Sequence, residues 1–272
     1  MLFRLITLAL CVLRCRSYRI AVGAGKNLRI SFYRGLSAVP GLFGTTEKLS
    51  CNVSASELKP AEFKGRIVII DDGNADKYVE SPAELLSTRC VGFDLEYVPD
   101  YYSSVHRHTA ERTRPAVVQI AGRDVCLVYL IYKIGHLPEP VSSLLRDPNV
   151  LKVAHGAPSD MRLLFRHFGV CSRNFVDLQN VCEEMHIRPC SLKGVAEQVL
   201  GLKLSKTQQC SNWEASALSE AQIRYAATDA WVTLEAFLKL KPPSFRKLIV
   251  NETGDVKIDN VKADGSESTG NS

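Results

Sequence analysis

The first 46 residues contain no acidic residue: Glu47 is the first Asp or Glu in the 272-residue chain. That gap locates the charge. Residues 1–46 hold seven bases (Arg4, Arg14, Arg16, Arg19, Lys26, Arg29 and Arg34), so the formal charge of +5 resolves into +7 there and 27 basic against 29 acidic residues beyond. The body of the chain carries a net −2 and is no basic domain, so the overall sum does not argue for a nucleic-acid surface. Long apolar runs are missing too. The uncharged stretch from Leu5 to Leu13 falls short of the roughly 20 apolar residues a transmembrane helix needs, so no stable membrane insertion is expected of it. The nine cysteines include no C-x-x-C pair and no zinc-type His/Cys spacing. Their odd count and their places in apolar patterns point to buried free thiols in a reducing compartment rather than a disulfide framework. No G-x-G-x-x-G follows a strand and no G-x-x-x-x-G-K-[ST] occurs, which removes the dinucleotide-binding and P-loop readings. With 46% hydrophobic and 23% charged residues the chain can bury one substantial core, and collagen, coiled coil and wholesale disorder are excluded.

An acid-free segment dotted with Arg and Ser, with Leu, Ile, Phe and Tyr between the charges, has the composition of a mitochondrial or other organellar transit peptide. A secretory signal competes, with Arg4 as its n-region and Leu5 to Leu13 as its h-region, but Arg14, Arg16 and Arg19 follow where small neutral residues belong. A disordered basic arm on a nuclear or cytoplasmic protein is the plainest alternative. Residues 47–64 are mixed and polar and read as a linker, 65–245 as one domain, and 246–272 as a disordered polar tail. The sequons Asn52-Val53-Ser54 and Asn251-Glu252-Thr253 carry meaning only for a secreted chain.

Within the domain, strand and helix signals alternate. Arg66 to Ile70 is a β-branched run closed by Asp71-Asp72-Gly73, and Ser81-Pro82-Ala83-Glu84 opens a helix. Cys90 to Tyr97 reads as a buried strand. Ala116 to Ala121 and Val125 to Tyr129 form a hairpin around Gly122-Arg123-Asp124, so the sheet is mixed. Helices are expected over Val141 to Arg146, Asp160 to Phe168 (ended by Gly169), Leu192 to Leu200 (ended by Gly201) and Glu220 to Leu240 (stopped by Pro242-Pro243), with a further strand from Val150 to Ala154. The pattern predicts a three-layer α/β domain with a mixed central sheet flanked by helices.

The chemistry lies in carboxylates. In Asp94-Leu95-Glu96, at the end of an apolar strand, alternation projects Asp94 and Glu96 from one face and Leu95 from the other. Two ionised carboxylates side by side repel, and a divalent cation is the simplest compensation, although a lone D-x-E also occurs as a solvated strand end. Asp160 follows His155-Gly156-Ala157-Pro158 at a strand-to-helix loop, where functional groups collect in α/β folds and where a first-turn Asp also simply favours the helix dipole. Ser219 and Gln222 form a capping box, and Tyr225 and Asp229 fall on one helix face a turn apart.

Phe93-Asp94-Leu95-Glu96, His155-Gly156-Ala157-Pro158-Ser159-Asp160 and Tyr225-Ala226-Ala227-Thr228-Asp229-Ala230 resemble the three motifs of the DEDD 3'-5' exonucleases, with Tyr225 marking the DEDDy subclass. Ser211-Asn212-Trp213-Glu214, and Arg114-Pro115 with Val118-Gln119-Ile120, further resemble the RNase D and Werner-type branch. The similarity runs from about Arg66 to Leu240. It implies an RNase H-like fold and a metal-dependent 3'-5' exonuclease releasing nucleoside 5'-monophosphates from single-stranded or 3'-ended DNA or RNA. It assigns Asp94, Glu96, Asp160 and Asp229 as ligands to two Mg²⁺ or Mn²⁺ ions and gives Tyr225 the attacking water to orient or deprotonate. The residue types suit that chemistry, because hard cations prefer carboxylate oxygen and a pair of them about 3.5–4 Å apart stabilises both the attacking and leaving oxygens of a phosphoryl displacement.

Candidate nucleic-acid contacts are Leu95, His155, Arg107, Arg114, Lys206 and Trp213. Arg107 and Arg114 belong to a stretch from Tyr101 with further aromatic and basic residues suited to stacking on and steering a single strand, or simply to a solvated loop. Trp213 suits either stacking on a terminal base or burial in the turn before a helix. His155 and His167 read as structural on general grounds. Members of this branch often carry a basic run before S-N-W; Lys203 to Cys210 has only two lysines, which predicts mild salt dependence of binding. A non-catalytic nucleic-acid-binding adaptor is the competing class, and the full set of four carboxylates and the Tyr argues against it.

Overall fold

A computed structural model describes residues 58–98 and 114–259. These all belong to the second of two units into which the chain divides, Asn52–Ser272. Ten strands and seven α-helices are seen among the described residues. In chain order they are β1 (Lys59–Pro60), β2 (Arg66–Ile70), α1 (Pro82–Leu85), β3 (Cys90–Tyr97), β4 (Pro115–Ala121), β5 (Val125–Leu130), α2 (Ile131–Ile134), α3 (Glu139–Arg146), β6 (Leu151–Ala154), α4 (Ala157–Phe168), β7 (Phe175–Asp177), α5 (Leu178–Glu184), α6 (Leu192–Val195), β8 (Leu202–Lys203), α7 (Glu220–Leu240), β9 (Leu248–Val250) and β10 (Val256–Ile258).

Eight strands form the central sheet in the order β10-β9-β7-β6-β3-β4-β5-β2. β3, β6 and β7 are mutually parallel, β4 and β5 form the antiparallel hairpin that the turn residues predict, and β2 returns parallel to β5. The strand period of two divides the core. Val91, Phe93 and Leu95 of β3 face a cluster that includes Val141, Leu144 and Leu145 of α3 and Met161 and Leu164 of α4. The opposite face of the sheet meets α7 through Ala226, Ala227 and Ala230, and α5 and α6 through Val181 and Val195. The expected three-layer α/β architecture with a mixed sheet, of RNase H-like form, is therefore present.

The domain reaches further at both ends than its composition suggests. The described part of the expected linker is built into the fold: Lys59 and Pro60 pair with Leu202 and Lys203, Phe63 is buried against Trp231, and its N–H donates to Thr228 Oγ1 at 3.1 Å. Residues 47–57 lie outside the described residues. The expected polar tail begins instead as a hairpin, with Leu248 paired to Phe175 and β10 returning along β9. Leu248 and Val250 point inward and Ile249 less so, a period-two pattern too short to stand out from the polar residues around it. Residues 260–272, like the basic residues 1–46, lie outside the description. The helix expected over Leu192 to Leu200 changes character part-way, with α6 widening into a π-turn at Ala196–Leu200 before Gly201. The six described cysteines are all free thiols, and burial raises Cys90 to about 11 and Cys182 to about 12. No helix among the described residues is long and apolar enough to cross a membrane.

Candidate active site

β3 delivers Asp94 and Glu96 to the face covered by α7, and a register shift between Glu96 and Tyr97 ends the regular pairing with β4 at that point. The helix lies unusually close to the strand. A Cβ on Gly92 would stand 2.0 Å from the Ala230 carbonyl oxygen, so only glycine lets α7 approach there. Asp229, the residue before Ala230, is thereby set against the D-x-E pair. One carboxylate oxygen each from Asp94, Glu96 and Asp229 lies within 4.8 Å of the others.

α7 is fixed at its start by the expected capping box, Gln222 N–H donating to Ser219 Oγ at 3.3 Å and Ser219 N–H to Gln222 Oε1 at 3.0 Å. The amide of Gln222 also donates to Ser211 Oγ and to the Asn212 carbonyl, each at 3.0 Å, and so ties the S-N-W turn to the helix. Trp213 in that turn is fully buried, its ring 6.1 Å from that of Tyr225. It supports Tyr225 from within the core and is closed to a base, which corrects its candidacy as a nucleic-acid contact. Leu95 is corrected for the same reason, since alternation places its side chain in the core on the α3 and α4 side.

The Tyr225 hydroxyl lies close enough to the Asp229 carboxylate for each to affect the other's protonation. Burial, and then the negative charges of Asp229, Glu96 and Asp94, hold its phenol well above the ordinary range. Burial and the Asp94 charge likewise push the Asp229 carboxyl far up, while the Tyr225 hydroxyl and the charge of nearby Lys206 oppose the rise. Asp229 Oδ1 is buried with no hydrogen-bond partner. Three hard oxygen donors converge, the Asp229 oxygen unpaired and the Asp94 charge working against that of Asp229, and this suits a divalent cation.

The other expected site residues are distributed around this trio. Asp160, 2% exposed, occupies the fourth position of α4 and is not part of the 4.8 Å group. His155 places Nε2 2.7 Å from the Cys190 carbonyl oxygen, a structural contact of the kind its type suggests. Arg114 donates to the Gly135 carbonyl at 2.7 Å and lies over the Phe168 ring, an anchorage within the fold. Lys206 is exposed, and its charge acts on Asp229. Arg107 lies outside the described residues.

Two residues at the site carry no role in the reading of motifs: Gln119 enters it only within Val118-Gln119-Ile120, and Asp177 not at all. Gln119 pairs in register with Asp94, is fully buried, and has neither amide atom hydrogen-bonded. One polar residue in a strand that is otherwise wholly apolar was the available signal. Asp177, buried at the end of β7, accepts hydrogen bonds where the loops leading into α4 and α5 meet. An Asp just before a helix reads only as a cap.

Comparison with known proteins agrees with this arrangement. Residues 69–243 match the 3'-5' exonuclease family. The chain belongs to the DEDD 3'-5' exonucleases. Among relatives of this exonuclease family, the mouse bifunctional 3'-5' exonuclease/ATP-dependent helicase WRN is 31% identical over 205 residues, which is 72% of this chain and 14% of that protein. The mouse exonuclease 3'-5' domain-containing protein 2 is 33% identical over 145 residues, 51% of this chain and 22% of the relative. The alignments thus span less than a quarter of either. The catalytic core of RRP6 from Trypanosoma brucei shares the fold with a TM-score of 0.54 at 24% identity, over 68% of this chain and 49% of that one.

Proposed function

We propose that this exonuclease domain is an active, metal-dependent 3'-5' exonuclease that hydrolyses single-stranded or 3'-ended nucleic acid and releases nucleoside 5'-monophosphates. The observation that carries the reading is the convergence of Asp94, Glu96 and Asp229 within 4.8 Å, with Tyr225 near enough to feel all three charges. In this proposal Asp94, Glu96, Asp160 and Asp229 together hold two divalent ions, Mg²⁺ or Mn²⁺, with Asp160 contributing from α4 on the other side of β3. Such ions supply positive charge to the attacking and leaving oxygens of an in-line phosphoryl displacement. Tyr225 orients or deprotonates the attacking water, a contribution of about 10²–10⁴ in rate. Lys206 meets the phosphate backbone from the rim, as a point charge beside the acidic cluster.

Incubation of the purified chain with 3'- and 5'-labelled oligonucleotides and either metal tests the reading, with matched DNA and RNA strands, single and recessed, in parallel. A ladder shortening from the 3' end is expected. No shortening under either metal refutes it. Residues 1–46 are proposed as an organellar, most simply mitochondrial, address. Fused to a fluorescent reporter they should direct it to an organelle, and a diffuse cytosolic signal would refute that assignment.

A further inference from the structure

α4 begins directly after β6, and β6 runs beside β3 with Val153 level with Gly92, so the His155-Gly156 loop opens at the height of Asp94. Any error in where α4 starts is therefore passed to Asp160, one turn into it. The start is weakly secured by its own residues. The N-cap position is Gly156, at φ +82°, which has no side chain to accept from the first free N–H groups of the helix. Those groups are met from a different segment. Asp177 Oδ1 accepts from Gly156 N–H at 2.9 Å, and the Asp177 carboxylate lies close enough to Ala157 N–H to be stabilised by it. The same Oδ1 accepts from Gln179 N–H at 3.0 Å and so caps α5 as well. Asp177 is 5% exposed and stands opposite Ala154 in the β6–β7 pairing. A single buried carboxylate thus bridges two helix N-termini and the ends of two neighbouring parallel strands.

We propose that Asp177 is a positioning residue of the exonuclease site, pinning the start of α4 to the start of α5 and thereby holding Asp160 in place beside the Asp94, Glu96 and Asp229 cluster. The inference rests on the proposed function, in which Asp160 is a metal ligand. Asp177 itself is not part of the carboxylate cluster: it accepts from backbone N–H groups and acts through the loop. Outer partners that orient a ligand typically influence metal affinity by about 10- to 100-fold when removed.

Three full-length variants separate the bridge from ordinary capping. In Asp177→Asn the amide keeps Oδ1 and can accept from both helix starts. In Asp177→Ser the hydroxyl still caps α5, since Ser is a good N-cap, but stops one bond short of Gly156. Asp160→Ala removes the ligand itself. Mn²⁺ binding is measured by calorimetric titration, alongside thermal melting, the kcat and KM of oligonucleotide cleavage, and the Mn²⁺ concentration giving half-maximal rate. Asp177→Ser should melt within a few degrees of Asp177→Asn yet bind Mn²⁺ about tenfold or more weakly, with a rate that recovers as Mn²⁺ is raised and an unchanged oligonucleotide KM. Asp177→Asn should bind Mn²⁺ nearly as the wild type does. Wild-type Mn²⁺ affinity in Asp177→Ser, with wild type active and Asp160→Ala inactive, overturns this inference and leaves the proposed function standing. A wild-type chain that neither binds Mn²⁺ nor cleaves overturns both.

Discussion

Replacing Gly92 by alanine tests whether the packing of α7 on β3 sets the site geometry. The added Cβ would lie 2.0 Å from the Ala230 carbonyl oxygen and 3.0 Å from the Cβ of Leu234, whereas ordinary van der Waals contact begins near 3.4 Å. Strand and helix must therefore separate by about 1.4 Å along the first contact, the difference between 3.4 and 2.0 Å. The clashing atom is backbone on a 21-residue helix, so no side-chain rotation relieves it. Overpacking of this kind costs about 1–3 kcal/mol, roughly 2–12 °C in Tm for a domain of this size. The functional loss should be larger than that suggests. Asp229 adjoins Ala230, so it moves away from Asp94 and Glu96 with the helix, and a displacement of about 1 Å can cost on the order of 10²-fold in rate. Gly65→Ala is the control: its Cβ would meet the Asp124 carbonyl oxygen at 2.2 Å, at the other end of the sheet from Glu96. Both variants should melt lower, and only Gly92→Ala should lose kcat by about two orders of magnitude at saturating metal, read from cleavage of a labelled oligonucleotide. Equal kcat in the two variants at matched Tm would show that the strand–helix contact does not set the site.

Asp94→Ala should abolish cleavage and leave the metal-free melting temperature unlowered, because it relieves repulsion in a cluster of three carboxylates; a lower metal-free Tm would count against the metal-site reading. Gln119→Leu should melt higher than wild type in scanning calorimetry, by the equivalent of about 1–3 kcal/mol, since it removes a buried amide with no partner; a lower Tm would show that the amide is satisfied in solution. Lys152 is fully buried, its ammonium donating to the Asp147 carbonyl at 2.7 Å, and burial lowers its pKa to about 7 from an ordinary value near 10.5. Between those limits the unfolded chain binds a proton that the folded chain does not, so this group makes stability rise with pH from about 7 towards 10.5, by at most about 4–5 kcal/mol. Lys152→Met should therefore exceed wild type in stability by more at pH 6 than at pH 9.5 in denaturant titrations, and a pH-independent gap would refute the burial argument.

What could be read before folding were features with a period. β3 shows its D-x-E on one face because strand residues alternate, and α7 shows Tyr225 and Asp229 on one face because helix residues recur every turn. The β4–β5 hairpin and the helix stops at Gly169 and Gly201 follow from turn chemistry in the same way. What could not be read depends on partners distant in the chain. β1 and β8 are two residues each, without any period, and exist because Lys59 and Pro60 meet Leu202 and Lys203. Leu248 and Val250 sit among polar residues and become strand only on the edge that β7 offers. Trp213 has a buried and an exposed reading in any S-N-W turn, and the Gln222 amide reaching back to Ser211 and Asn212 decides between them. Asp177 looks like the cap of α5 alone until Gly156, 21 residues earlier, is brought beside it.

The site therefore depends on two separate mechanical constraints. Asp94, Glu96 and Asp229 are gathered on the α7 face of β3, where the close approach of α7 at Gly92 sets Asp229 against the strand. Asp160 comes from α4, in the other helical layer, and its position is set by how that helix enters and by what props it from outside. The C-terminal hairpin is one such prop: Gly254, in the turn between β9 and β10, lies so close to Phe165 of α4 that a Cβ there would stand 2.6 Å from the ring. A segment that looks like tail in composition thus bears on the helix carrying the fourth carboxylate. Cavity-forming and overpacking changes in the α7 layer should accordingly couple more strongly to one another in double-mutant cycles than to changes around α4, because the two layers meet across a β-sheet whose close-packed backbone moves little and through the loop contacts of Asp177 and His155.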